Sequence, residues 1–288
     1  MRIIDRARKK SKGIKTKKKL TEICRITGIS RQGYYKGRRK KTSKKLQEEM
    51  IIRLVQAIRR KMPKLGGKKL YKILIGDLKR MEIKLGRDNF FKLLGRNGLL
   101  IHRKKRYAKT TNSFHRFKIY DNLIKELSPE NPDEVYVTDI TYIRVSDSFC
   151  YLSLITDLYS RKIVGYDVSG SLNIEGSVRA LKMSLKGKEN IEGLIHHSDR
   201  GIQYCSKIYT EILTEHKIQI SMSEKGNPYE NAVAERVNGI LKEEFMLSET
   251  FKTKELAYKA TKEAIKTYNE FRPHMSINYM TPNQKYAA

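Results

Sequence analysis

"GLIHHSDRGIQYCSKIYTEILTEHKIQISMSEKGNPYENAVAERVNGILKEEF" spans residues 193–245. "GLIHHS" and "IQISMS" are short, apolar and β-branched, as strands are, whereas residues 206–216 and the stretch around Glu235 carry apolar side chains at helical spacing. Strand, helix, strand, helix is the alternation of a sheet with helices packed on it. Two acids stand out. Asp199 follows the first strand, at the strand end where α/β sheets place functional groups. Glu235 belongs to a helix whose apolar stripe is Val233, Val237, Ile240 and Leu241; Asn231, Asn238 and Lys242 share the acid's own face.

Upstream, "EVYVTDITYIRV" and "FCYLSLITDLYSRKIVGYDVS" are rich in Val, Ile, Tyr and Thr with partial alternation, the pattern of strands paired as a meander. A helix is expected over 174–186. The whole predicts a mixed five-stranded sheet with helices. Asp139 falls in the middle of the first strand, where a carboxylate is costly unless something cationic meets it. Downstream, a helix over about 253–271 shows Leu256, Ala260, Ala264, Ile265 and Tyr268 as an apolar stripe before the stop in "RPHMS".

The charge lies elsewhere. Of 61 Lys+Arg, 40 fall in residues 1–120 against 7 Asp+Glu, a net of +33, while the remainder of the 288-residue chain is net −3. Lysine and arginine this dense fit a polyanion, because each neutralised phosphate releases condensed counterions. An anionic membrane fits less well, since the basic segments lack the apolar face of an interfacial helix. No stretch approaches the roughly 18–20 apolar residues of a membrane span, and no apolar signal core follows the basic start. Cys24, Cys150 and Cys205 are isolated, which suits reduced buried thiols rather than a zinc site or a disulfide framework.

Within the basic half, "KKLTEICRITGISRQGYYKGRRKK" reads as helix, Gly28 turn, helix, with Ser30 as N-cap. Arg31 and Gln32, at the start of the second helix, are residue types that read base edges; Tyr34, Tyr35, Arg38 and Arg39 accompany them as expected DNA contacts. "LQEEMIIRLVQAIRR" places Met50, Leu54 and Ile58 on one helical face with Ile51 and Val55 beside them, and two further helices end near Asn97 and Gly98. Arg103, Lys104, Lys105 and Arg106 open a basic linker suited to a phosphate backbone. The expected divisions are a basic helix-turn-helix (1–42), a second helical DNA-binding unit (43–102), the linker (103–130), a catalytic core (131–250) and a C-terminal helix and tail (251–288).

Asp199 and Glu235 enclose 35 residues, which resembles the D,D(35)E signature of retroviral-integrase-like transposases. "VTDITYI", "DLYSRKIVGY", "HHSDRGIQY", "SMSEKGNPYENAVAERVNGILKEEF" and "YNEFRPHMSINYMTPNQKY" resemble, in order, the blocks of the second-frame transposase of insertion-sequence family three. The likeness runs over roughly residues 18–288. It implies an RNase H-like core, with Asp139, Asp199 and Glu235 as catalytic triad and metal ligands. Tyr136 stands where that family commonly has Trp, Glu230 where Asp is usual, and Arg236 where Ser often follows the acid; none of these removes a metal ligand.

Cutting a phosphodiester this way takes two cations about 3.5–4 Å apart, one activating the attacking oxygen and one the leaving oxygen. Three carboxylates suit two Mg²⁺ ions, with Mn²⁺ as an alternative; Asp139 is expected to bridge both, Asp199 to complete one and Glu235 the other. Lys242 is a further expected DNA contact. The resemblance also implies double-stranded DNA partners (terminal inverted repeats and target), a homo-oligomer, a small upstream-frame helix-turn-helix partner or fusion, and a bacterial, cytoplasmic, nucleoid-associated location. The competing readings are a DNA-binding protein without catalysis, as a regulator or a decayed element's product, and an RNase H-type nuclease. His196 and His197 beside Asp199 invite a transition-metal reading, but neighbours on a strand point to opposite faces and cannot easily share one ion.

Overall fold

A computed structural model describes residues 20–101, 117–188, 191–224 and 231–288. The chain forms two compact units: Met1–Ala57 with Asp77–Gly98, and Ile58–Gly76 with Leu99–Ala288. No helix among the described residues is long and apolar enough to cross a membrane.

The first unit is helical. α1 (Leu20–Thr27) ends where Gly28 takes φ +67°, a left-handed conformation that glycine adopts without a Cβ penalty. Ile29 N then donates to Cys24 O (3.2 Å) and Gly28 N to Arg25 O (3.5 Å), the paired bonds of a Schellman stop. α2 (Arg31–Lys61) starts with Ser30 Oγ accepting from Gly33 N at 3.0 Å. α2 is one unbroken helix, so it passes straight through the division expected at 42/43. The reason is local: residues 40–45 hold no Gly or Pro to stop it. Its buried stripe is Ile51 and Val55, while Met50, expected on the inner face, is exposed. α3 (Gly67–Arg80), which belongs to the second unit as far as Gly76, and α4 (Arg87–Arg96) follow, and α4 buries Phe90, Leu93 and Leu94.

In the second unit β1 (Val135–Val145), β2 (Ser148–Asp157) and β3 (Ile163–Ser169) form an antiparallel meander. α5 (Ile174–Leu185) leads to β4 (Ile195–Ser198), then α6 (Ile202–Cys205) and α7 (Lys207–Glu215) to β5 (Gln219–Met222). β4 pairs parallel with β1 and β5 with β4, giving the order β3-β2-β1-β4-β5. This is the mixed five-stranded, RNase H-like core that the sequence implied. α8 (Ala232–Glu244), α9 (Lys254–Phe271), a short 3₁₀ turn and α10 (Pro282–Tyr286) complete it.

Both faces of the sheet are covered. Tyr136 and Ile155 pack with Ala180 and Leu181 of α5 and Tyr209 and Leu213 of α7; on the other face Val135 and Val137 lie under Ala234 of α8. The edge strand β3 is closed by Asn269 of α9, whose Oδ1 accepts from Ile163 N (3.0 Å) and whose Nδ2 donates to Ile163 O (2.9 Å). α9 buries Ala257, Thr261, Ala264, Ile265 and Tyr268; Leu256, expected in that stripe, is exposed. α5 approaches β3 closely enough that a Cβ on Gly165 would collide with the Ala180 carbonyl oxygen and come 2.9 Å from Ser184 Cβ. Gly165→Ala is therefore expected to destabilise the protein by about 1–3 kcal/mol through overpacking; a urea midpoint equal to the parent's would show that α5 yields freely.

Candidate active site

Parallel pairing of β1 with β4 sets Val137 opposite His197. Continuing that register by two residues places Asp199 beside Asp139, on neighbouring strands spaced about 4.8 Å apart. Period-2 alternation puts Asp139 on the same face as Val137, the face that α8 covers. Glu235 lies in the first turn of α8, above that face. Three acids scattered over the sequence thus come from a mid-strand position, a strand end and a helix start.

Two asparagines fasten α8 to β1. Asn231 Nδ2 donates to Thr138 O at 3.0 Å, and Asn238 Nδ2 donates to Asp139 Oδ2 at 2.8 Å. Asp139 Oδ1 accepts from Ile140 N at 2.9 Å, so both oxygens of this carboxylate are oriented. Asp199 Oδ1 accepts from Gly201 N at 3.0 Å, fixing the turn that leaves β4. Sequence reasoning placed the asparagines on the acid's face without giving them a role; their spacing of four before and three after Glu235 was the available signal.

The carboxylates act on one another. Burial first, and then the negative charge of Asp199, push Asp139 up to about 7; the bonds from Asn238 and Ile140 oppose this, and Glu235 adds to it. Glu235 is also raised, by partial burial and then by Asp199. The site therefore concentrates negative charge that repels itself. Among the described residues, no group of three His, Cys, Asp or Glu side chains is close enough to hold a metal ion as it stands. The donor set of the three acids, all carboxylate oxygen, suits a hard divalent cation.

The two histidines serve the fold. His196 Nε2 meets the Tyr209 hydroxyl at 3.0 Å, and His197 Nδ1 meets Ser221 Oγ at 2.8 Å. Burial, and next the neighbouring His197, hold His196 down to about 3, so it stays neutral. Asp157 caps the turn after β2, accepting from Ser160 N (2.7 Å) and Asp133 N (2.9 Å), and Asp167 takes both arms of Arg179 at 2.9 Å. The Tyr136 hydroxyl is not stranded: it donates to Asp133 and accepts from Lys188. All three cysteines are free and buried.

Of the expected DNA contacts, Arg31, Gln32, Tyr35, Arg38 and Arg39 are exposed on α2, and Lys242 is half-buried on α8. Tyr34 is not available to DNA. It is 1% exposed and packs against Cys24, because it is the side chain that closes the small core between α1 and the start of α2. Arg103, Lys104, Lys105 and Arg106 lie outside the described residues, as does Glu230.

An integrase core domain family matches residues 129–228, and a second integrase core domain family matches residues 216–282. The chain is 33% identical over 264 residues to the insertion element IS600 uncharacterized 31 kDa protein of Shigella sonnei, covering 90% of this chain and 96% of that one. It is 26% identical over 268 residues to the transposase InsF for insertion sequence IS3A of Escherichia coli (strain K12), covering 91% and 92%. Among solved structures it is similar to the HTLV-2 integrase catalytic core domain in complex with magnesium (18% identity, TM-score 0.44, 55% of this chain and 99% of that one). With this ordered sheet and relatives matched over nearly their whole length, the chain belongs to the insertion-sequence family three (IS3) of DDE-type DNA transposases.

Proposed function

We propose that this transposase cuts DNA at the terminal inverted repeats of its own insertion sequence and joins the ends to target DNA, with Asp139, Asp199 and Glu235 as the catalytic carboxylates. The observation that carries this reading is the self-repelling charge at Asp139, which two other acids from separate elements reinforce. Carboxylates arranged so are relieved at low pH by a proton and above it by cations that neutralise them. When bound, two Mg²⁺ ions, or Mn²⁺ in their place, would supply Lewis acidity to the attacking and leaving oxygens. Asp139, flanked by the other two, would hold both ions; Asp199 would complete one and Glu235 the other.

The protein's own groups prepare that chemistry. Asn238 and the Ile140 N–H fix the direction of the Asp139 oxygens, and Asn231 ties the start of α8 to β1 so that Glu235 keeps its place. Exposed Arg31, Gln32, Tyr35, Arg38 and Arg39 would read and grip the terminal repeats, and Lys242 would meet a phosphate near the reacting bond. The enzyme would work as a homo-oligomer on paired ends, with an upstream-frame helix-turn-helix partner or fusion, in the bacterial cytoplasm at the nucleoid.

The test is junction formation on a marker flanked by the gene's own terminal repeats. Glu235→Gln keeps the shape of the side chain and removes its charge, and is expected to reduce junctions by at least about 10²-fold, roughly 3 kcal/mol of barrier, with repeat binding retained. Junctions at the parent's level from that variant would end the assignment.

A further inference from the structure

The sheet carries an aromatic surface just beyond the reach of α5. On the face where Tyr136 and Ile155 pack against α5, the cover extends to Ser153, whose Oγ meets Ser177 Oγ at 3.3 Å, and to Ser169, against which Gly176 sits too closely for a Cβ. Past them, the β1–β2 register sets Tyr142 opposite Tyr151 and Arg144 opposite Phe149, all on that same face. The rings form one edge-to-face cluster. The centroids of Tyr142 and Tyr151 are 5.4 Å apart and those of Tyr142 and Phe149 6.1 Å, and the Arg144 guanidinium stands 5.8 Å from the Phe149 centroid. Phe149 is 42% exposed, Arg144 is exposed, and the two tyrosines are half-buried. Cross-strand ring pairs brace a hairpin, which accounts for the tyrosines; it does not account for an outer phenylalanine left in water with an arginine laid beside it.

The borders of this ledge indicate what it fits. On the β3 side lies Ser169, directly opposite Tyr151, and Arg179 donates to Ser169 Oγ (2.8 Å) while both its arms hold Asp167. On the hairpin side lies Arg144. The single acid between Arg144 and Tyr151, Asp147, sits in the turn. Rings framed by guanidinium and hydroxyl groups suit a nucleobase, which offers a π face to stack and polar edges to bond. The apolar face of a protein helix would leave those polar groups without partners.

The ledge also adjoins the candidate active site. β4 pairs with β1 at Val135–Val137, and Phe251 next meets that edge of β1 at Val145; between them, among the described residues, no strand covers it. Tyr142 lies about 10 Å beyond Asp139 along β1, on the opposite face. The loop after Ser169 bends back to α6, where Leu172 O accepts from Gln203 Nε2 at 2.9 Å, and α6 starts from the turn in which Gly201 N donates to Asp199 Oδ1. A strand held at the carboxylates can therefore pass over the open edge of β1 onto the rings.

We infer that Tyr142, Phe149 and Tyr151, with Arg144, form a stacking ledge for one unpaired base of the DNA strand on which the carboxylates act. A base is free to stack there only where the duplex is open, as at a frayed or cut end. The role is one of positioning, and it rests on the reading of Asp139 and Asp199 as the reacting site.

The test uses the full chain and two duplexes carrying its terminal repeat, one fully paired and one with a short unpaired tail at the cut end. With 5-iododeoxyuridine in the tail, light should crosslink it to Tyr142, Phe149 or Tyr151, as read by peptide mass spectrometry. Stacking of one base on an aromatic ring changes affinity roughly 5- to 150-fold. Phe149→Leu and Tyr142→Leu should each weaken the tailed duplex by a factor in that range and leave the paired duplex unchanged, and Phe149→Trp should keep the parent's affinity. Crosslinks elsewhere, or tailed-duplex binding at the parent's level in both Leu variants with melting temperatures like the parent's, overturn the inference. Equal losses on both duplexes overturn it too, since the rings would then support the fold or a paired groove. Glu235→Gln run beside them separates the two readings: it should abolish joining and keep both the crosslink and the tail preference. A chain that crosslinks at the ledge yet never joins DNA would leave the ledge standing and the enzyme reading fallen; joining by a chain whose Leu variants ignore the tail would do the reverse.

Discussion

Asp139→Asn is expected to abolish DNA joining, by about 10³-fold or more (roughly 4 kcal/mol of barrier), and yet to make the protein more stable in chelator at pH 8. Burial and the Asp199 charge raise the Asp139 carboxyl from its ordinary 3.8 to about 7 in the folded chain. A raised acid favours folding at low pH, where it is protonated in both states, and loses that advantage as the pH climbs through about 7. Above that, holding the anion in place costs on the order of 4 kcal/mol. The amide cannot ionise, so the variant escapes this cost, and its one oxygen keeps one of the two bonds that Asn238 Nδ2 and Ile140 N donate to Asp139, a smaller loss of about 1 kcal/mol. Its melting temperature should exceed the parent's at pH 8, with the gap closing as the pH approaches 4. Mg²⁺ should raise the parent's melting temperature at pH 8 and leave the variant's unmoved. A variant that melts lower at pH 8 and still responds to Mg²⁺ would mean that Asp139 is neither self-repelled nor a ligand.

Much of this site was legible because it obeys local rules. β-branched alternation around Asp139, the short apolar run before Asp199 and the helical stripe around Glu235 each report their own element, and the register between β1 and β4 does the rest. What was illegible depends on partners far along the chain. Residues 58–76 read as part of a helical DNA-binding region, yet they belong to the core unit, and Lys69 finds its partner Glu244 175 residues away. No periodicity within α3 announces that. Tyr34 sat among arginines and looked like a surface aromatic; its burial follows from the Gly28 turn, which folds α1 back so that Cys24 needs a cover. Asn231 and Asn238 looked like the polar face of a helix, whereas that face is turned toward β1. "RPHMS" looked like a helix stop and contains a buried arginine.

That arginine carries the largest expected loss of stability. Arg272 is 2% exposed and its guanidinium engages both oxygens of Glu244, which Lys69 also meets. Burial alone would raise Glu244, but the Arg272 hydrogen bonds and charge, with Lys69, hold it below its ordinary 4.5. A lowered acid stabilises the fold above its unfolded pKa, so this contribution is present above about pH 4.5 and fades as the pH falls below it. Removing one member of a buried pair strands the other, so Arg272→Met is expected to cost about 3–5 kcal/mol at pH 7. The size of that loss comes from the abandoned carboxylate rather than from the pair's net worth. Arg272→Met combined with Glu244→Leu should therefore recover most of it, since Lys69 has a long stem that can carry its charge to water. Urea unfolding of the parent, the single and the double variant decides the matter. A double variant no more stable than the single would place the loss in the packing of Arg272 on Tyr268, and the helical segment that bears Lys69 would then be held to α8 by shape and not by charge.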